Sequence, residues 1–183
     1  MITNVPEILA VILESYRLPV RGYHGVTHWA RVLENGLKLA ETTQADVDVV
    51  TLFALFHDSR RVNEHTDPDH GLRGARLAEQ MRGDLFELDD ERFQLLFRAC
   101  ELHTDGLLED EVTVQTCWGW DRLDGGSVGI RPRADRLCTE AARAPEMMEW
   151  AHLRGRSCFE PPRVVEEWGI NTPSWWRRWW PFS

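Results

Sequence analysis

The chain has 183 residues, 43% of them hydrophobic and 28% charged, which suits one domain with its own core rather than two. Its formal net charge of −9 repels a nucleic-acid backbone and argues against a role in coating DNA or RNA, yet local arginines can still receive a small phosphorylated ligand. Residues Met1 to Arg17 lack the basic start and cleavage site of a secretory leader, and no apolar stretch is long enough to span a bilayer.

In chain order the apolar residues recur at helical spacing. Val5, Ile8, Leu9, Ile12 and Leu13 make one face of a first helix, which Leu18-Pro19 breaks. A second helix runs from Val26 to about Glu41 on Trp29, Val32, Leu33, Leu37 and Ala40. Asp46 is placed to cap a third, which is apolar nearly all round from Val49 to Phe56 and therefore central and buried. Asp67-Pro68 is expected to start a fourth, with proline at a tolerated early position. A fifth is expected from about Asp89 to His103 and a sixth from Val112 to Leu123, stopped by Gly125-Gly126. Arg131-Pro132 is expected to open a last helical stretch reaching Leu153, with a break at Pro145. No alternating run reads as a strand, so the expectation is an all-α helical bundle.

Cys100, Cys117, Cys138 and Cys158 are scattered singly, without a CxxC pair, which favours reduced thiols and a cytoplasmic setting. Residues 1–155 read as the domain. Residues 156–183 differ in character, with Pro161-Pro162, Pro173 and the Trp175-Trp176-Arg177-Arg178-Trp179-Trp180 cluster. Such a tail is expected to pack on its own domain or on a second subunit rather than on a membrane.

Ionisable residues on apolar stripes carry the functional signal. His57-Asp58 ends the most hydrophobic run of the chain, where an unpaired carboxylate costs several kcal/mol to bury. Asp121 continues the stripe Val114, Cys117 and Trp118, and His103 continues Leu96 and Cys100. His70 lies in line with Gly74, Leu77 and Met81, and His28 lies one turn before Val32. Each alone fits a hydrogen-bonded core residue, a cap or an ion-pair partner. Taken together, imidazoles and carboxylates from separate helices meet in one interior, and a divalent cation resolves the burial penalty of all of them at once.

His28, then His57-Asp58, then Asp121-Arg122-Leu123 resembles the H…HD…D signature of HD-superfamily phosphohydrolases. The flanking text His24-Gly25-Val26-Thr27-His28-Trp29, Phe56-His57-Asp58-Ser59-Arg60-Arg61 and Asp69-His70-Gly71-Leu72-Arg73-Gly74-Ala75 is similar to a bacterial branch of small HD proteins, over roughly Val20 to Ala142. That branch often has Asp where this chain has Gly119 and Ala where it has Trp120. The resemblance implies an HD-domain helical bundle with His28, His57, Asp58 and Asp121 as ligands of a first metal. It implies that His70 and His103 either help hold a second ion or contact a substrate phosphate. Asp124 competes with Asp121 as the carboxylate ligand, on a less regular line through Trp120 and Cys117.

The chemistry expected is hydrolysis of a phosphoester or phosphoanhydride, in a nucleotide or another small phosphorylated compound, by metal-activated water. Asp58 is the expected catalytic residue, accepting the water's proton while helping to ligate the metal or acting through its free oxygen. Arg61, Arg73 and His24 are the expected substrate contacts. Arg60 reads equally well as a surface cation paired with Glu64 or Asp67. The cofactor is one or two divalent ions among Mn, Zn, Fe, Mg and Co. A small phosphorylated substrate is the expected partner, with no nucleic-acid polymer and no membrane, and homo-oligomerisation stays open. The alternatives are a binding module that has kept the metal site without turnover, or a di-iron HD-type oxygenase.

Overall fold

The computed structural model describes Ile2 and residues 4–171 as a succession of helices: α1 (Val5–Glu14), α2 (Val26–Thr43), α3 (Val47–Phe56), α4 (His70–Met81), α5 (Asp90–Leu102), α6 (Val112–Leu123), α7 (Glu140–Arg143), α8 (Pro145–Arg156) and α9 (Arg163–Glu166). Two 3₁₀ turns, Asp124–Val128 and Ala134–Arg136, lie between α6 and α7. Among the described residues there is no strand, only an isolated bridge between Arg82 and Phe86. The all-α expectation holds, and the fold is a single domain.

The centre is α3. Asp46 caps it, its carboxylate accepting the N–H groups of Asp48 and Val49 at 3.0 Å each, which satisfies donors a helix start leaves open. Arg92 of α5 donates to the same carboxylate at 2.7 and 2.8 Å and so ties the two helix starts together. Every residue of α3 from Val49 to Phe56 is buried, and α2, α4, α5 and α6 all pack against it. A helix apolar on all sides has to be enclosed in this way.

Two glycines decide how tightly α4 docks. A Cβ on Gly74 would stand 2.1 Å from the carbonyl oxygen of Phe56, and one on Gly71 would stand 2.1 Å from that of Cys100. Hydrogen at these positions lets the α4 backbone rest on the C-terminal ends of α3 and α5. That contact brings His70, the first residue of α4, beside Asp58 and His103 at those ends.

Two expectations need correction. Helix α4 starts at His70 and not at Asp67-Pro68, because Asp69 is left-handed with φ of 63° and because the Asp67 carboxylate is engaged by the Val62 N–H and by Arg73. The stretch from Arg131 to Thr139 is no continuous helix. Arg133 and Leu137 are extended on either side of the short turn, and Thr139 then caps α7 through the Ala142 N–H. The C-terminal segment also contains α9, whose Val164 is buried, with Trp168 buried just after it. The segment is fastened by an Arg21–Glu160 ion pair of 2.9 Å and by Arg31 donating to the Phe159 carbonyl at 3.0 Å. The Trp175–Trp180 cluster lies outside the described residues. Cys100, Cys117, Cys138 and Cys158 are free thiols. Among the described residues, no helix is long and apolar enough to cross a membrane.

Candidate metal centre

Five helices deliver the polar residues to one interior point. His28 comes from the first turn of α2, His57 and Asp58 from the end of α3, His70 from the start of α4, His103 from the end of α5 and Asp121 from the last turn of α6. Asp58 stands between two histidine pairs. Its Oδ2 lies 3.6 Å from His28 Nε2 and 3.7 Å from His57 Nε2. Its Oδ1 lies 3.0 Å from His70 Nε2 and 3.7 Å from His103 Nε2. Both triads, His28–His57–Asp58 and Asp58–His70–His103, bring their ligand atoms within 4.8 Å of one another. Asp121 joins the first group, with Oδ1 3.4 Å from His28 Nε2 and 3.7 Å from His57 Nε2.

The other nitrogen of every ring is tied down. His57 Nδ1–H donates to the Phe53 carbonyl at 3.0 Å, His70 Nδ1–H to the Asp67 carbonyl at 2.6 Å and His103 Nδ1–H to the Cys100 carbonyl at 2.7 Å. A carbonyl oxygen can only accept, so in each case the proton sits on Nδ1 and the Nε2 lone pair faces inward. His28 Nδ1–H donates to Asp124 Oδ2 at 2.7 Å, and Arg31 holds the same carboxylate through Nε at 2.8 Å and Nη2 at 2.9 Å. Orienting partners of this kind are what a metal-ligating histidine requires. The Nε2 atoms of His28 and His57 then face each other at 3.1 Å, and those of His70 and His103 at 3.0 Å. Two lone pairs at that distance repel unless a cation or a proton lies between them.

Titration tells the same story. Burial lowers the His57 pKa to about 4, leaving a neutral ring. Burial also pulls His28 down, but its bonds to Asp121 and Asp124 outweigh it and raise the value to about 10. Burial likewise opposes a charge on His103, while the hydrogen bond to Asp58 raises its pKa. Burial pushes Asp58 and Asp121 up, yet the facing histidines hold both carboxyls well below their ordinary range. The centre therefore draws positive charge, and a divalent ion would compete with protons for it. In the second triad one cation is already at hand. Arg61 Nη1 lies 3.1 Å from His70 Nε2 and 3.4 Å from Asp58 Oδ1.

The centre opens into a cleft of about 410 Å³ whose walls include Tyr23, His24, Arg61, Arg122, Arg131 and Arg136. Arg122 donates through Nη1 to the Leu107 and Arg136 carbonyls and keeps a buried Nη2 with no acceptor. His24 reaches the cleft, its Nδ1 2.5 Å from Glu64 Oε2. Arg73 does not reach it. Its guanidinium is spent on Asp67 at 2.7 Å and on the carbonyls of Arg60 and Pro68. Asp124 is a wholly buried partner of His28 rather than a rival to Asp121. A side chain at Gly119 would face Ala142 of α7, so an acid there would point into that packing and not at the histidines. Arg31 and Arg122 carried no assigned role in the sequence, and Asp124 stood there only as a rival ligand to Asp121. A usable sign was the i, i+3 spacing of His28 with Arg31 and of Asp121 with Asp124.

Comparison of the chain with protein-family models, with curated proteins and with solved structures finds no match. What stands on geometry is an all-α protein with a buried His/Asp cluster that could hold a metal ion.

Proposed function

We propose that the chain is a metal-dependent phosphohydrolase acting on a small phosphorylated compound, in line with its resemblance to the HD superfamily. The observation that carries this reading is the position of Asp58, facing four inward Nε2 atoms on the floor of an arginine-walled cleft. The donor set fits the group: neutral imidazoles and ionised carboxylates suit Zn²⁺, Mn²⁺ or Fe²⁺. His28, His57, Asp58 and Asp121 would hold the first ion. Asp58, His70 and His103 would hold a second, provided Arg61 Nη1 gives way.

Bound there, a divalent ion would lower the pKa of water and polarise a phosphoryl oxygen. The protein's own groups do the rest. Asp124 and Arg31 fix the His28 ring, and the Phe53 carbonyl fixes His57. Arg61 and Arg122 present guanidinium N–H groups along the cleft, suited to the oxygens of a phosphate held over Asp58. Asp58, held ionised by its neighbours, is a weak base; this favours a ligating role for it over a proton-accepting one. His24, paired with Glu64, stands at the wall and can take or give a proton to a substrate group.

Elemental analysis of the purified protein, followed by phosphate release from a panel of nucleotides and phosphoesters, tests the reading. Bound transition metal and turnover abolished by a chelator and restored by that metal are expected. Metal-loaded protein with no turnover on the whole panel would overturn it. Retention of one compound without product would then mark a binding module.

A further inference from the structure

Two arginines of the His57-Asp58 neighbourhood, Arg60 and Arg73, turn away from the metal centre into a separate cavity of about 380 Å³. Its walls are Ser15, Arg17, Arg60, Arg61, Val62 and Arg73. Four of these six side chains are guanidinium groups, in a chain whose net charge is −9. Their charges are not equally compensated. Arg73 has Asp67, and Arg61 has Asp58 together with the carbonyls of Asn63 and His65. Among the described residues no carboxylate pairs with Arg17 or Arg60, and Arg60 Nη1 is buried without any hydrogen-bond acceptor. A guanidinium N–H shut away from water needs an acceptor, and two facing cations need an anion between them.

We propose that this cavity is a second anion site, which takes a phosphate-type oxyanion between Arg17 and Arg60 with Ser15 and Arg73 at its edge. The chemistry follows from the groups. Two forked donors carrying a full positive charge each match a tetrahedral dianion with several acceptor oxygens better than a halide or a lone carboxylate. The site does not depend on the metal centre or on the phosphohydrolase reading, since none of His28, His57, Asp58 or Asp121 lines it. Arg61 is the wall it shares with the cleft.

Equilibrium dialysis with radiolabelled inorganic phosphate, on full-length protein kept in excess chelator, reads this site without the metal centre. One saturable phosphate per chain is expected, displaced by sulfate and unmoved by an equal concentration of chloride. Arg17→Gln and Arg60→Gln should each weaken it by about tenfold, the worth of a hydrogen bond to a charged group. Arg122→Gln, in the cleft, should leave it unchanged. Arg17 is exposed and unpaired, so Arg17→Gln keeps its fold and decides the matter even if Arg60→Gln does not. Competition by a simple phosphate monoester would show that the site takes the phosphoryl group of a larger molecule, and competition by orthophosphate alone that it takes the free ion; both support the proposal. No saturable binding, undiminished binding in Arg17→Gln, or loss of binding in Arg122→Gln would overturn it.

Discussion

Replacing Asp124 by Asn keeps the shape of the side chain and removes its charge, at a position with no exposed side-chain surface. The carboxylate accepts three hydrogen bonds, from Arg31 Nε at 2.8 Å, Arg31 Nη2 at 2.9 Å and His28 Nδ1 at 2.7 Å. An amide has one accepting oxygen, so its NH₂ must oppose a donor of Arg31 or of His28. Arg31 is then left as a buried cation without a counter-charge, a loss of about 3–5 kcal/mol set against a typical total stability of about 5–15 kcal/mol. Urea unfolding of the metal-free protein measures this loss. Changing Arg31 to Gln in the same chain should recover much of it, because no unpaired charge remains. Metal affinity behaves differently. The His28 ring has lost its anionic orienting partner in both variants, and competition with a chelator should show affinity weakened about 10–100-fold in each. A loss under about 1 kcal/mol, with metal affinity within about twofold of the parent, would refute the placement of Asp124 behind His28.

Other outcomes follow from the same geometry. On the proposed two-ion occupancy, His103→Ala should lower the ions bound per chain at saturating metal from two to one, because the second triad keeps only Asp58 and His70; elemental analysis of dialysed parent and variant checks this, and an unchanged count of two would contradict it. Gly74→Ala forces a methyl group against the Phe56 carbonyl and should cost about 1–3 kcal/mol or more, seen as a lower urea midpoint. Metal-free protein should be most stable near pH 6.5. The His57 value of about 4 means that the unfolded chain takes the extra proton below the ordinary 6.5, so stability falls as acid is added across that interval. The His28 value of about 10 means that the folded protein keeps a proton the unfolded chain gives up, so its contribution is complete below 6.5 and is lost as pH rises toward 10. Thermal melts in chelator between about pH 5 and 9 test both limbs, and a flat profile would count against the protonation scheme.

The helices were legible where periodicity and capping agree. Asp46 before the apolar run gave α3, and the spacing of Val114, Cys117, Trp118 and Asp121 gave α6 with its inward acid. His57-Asp58 stood out because charge at the end of an apolar run has few explanations. Asp124 was harder to place because it lies just past the end of α6, in a 3₁₀ turn where the 3.6-residue period no longer applies. Arg31 reads as a solvent-facing residue in any helix, and its partner lies 93 positions away. Arg73 looked like a phosphate contact because it shares a stretch of text with His70. On a helix, though, a residue three places on can serve a different neighbour, and Asp67 claims it. The false start of α4 came from reading Pro68 as a first-turn proline, when the left-handed Asp69 reverses the chain before the helix begins.

The histidine anchors divide the centre into fixed and steerable parts. His57, His70 and His103 take their aim from carbonyls three or four residues behind them, so their orientation is set by the local backbone. His28 takes its aim from a carboxylate on another element, and the guanidinium behind that carboxylate also grips the backbone at Phe159. A ligand or subunit that nudged the C-terminal third of the chain would be felt first at this one ring.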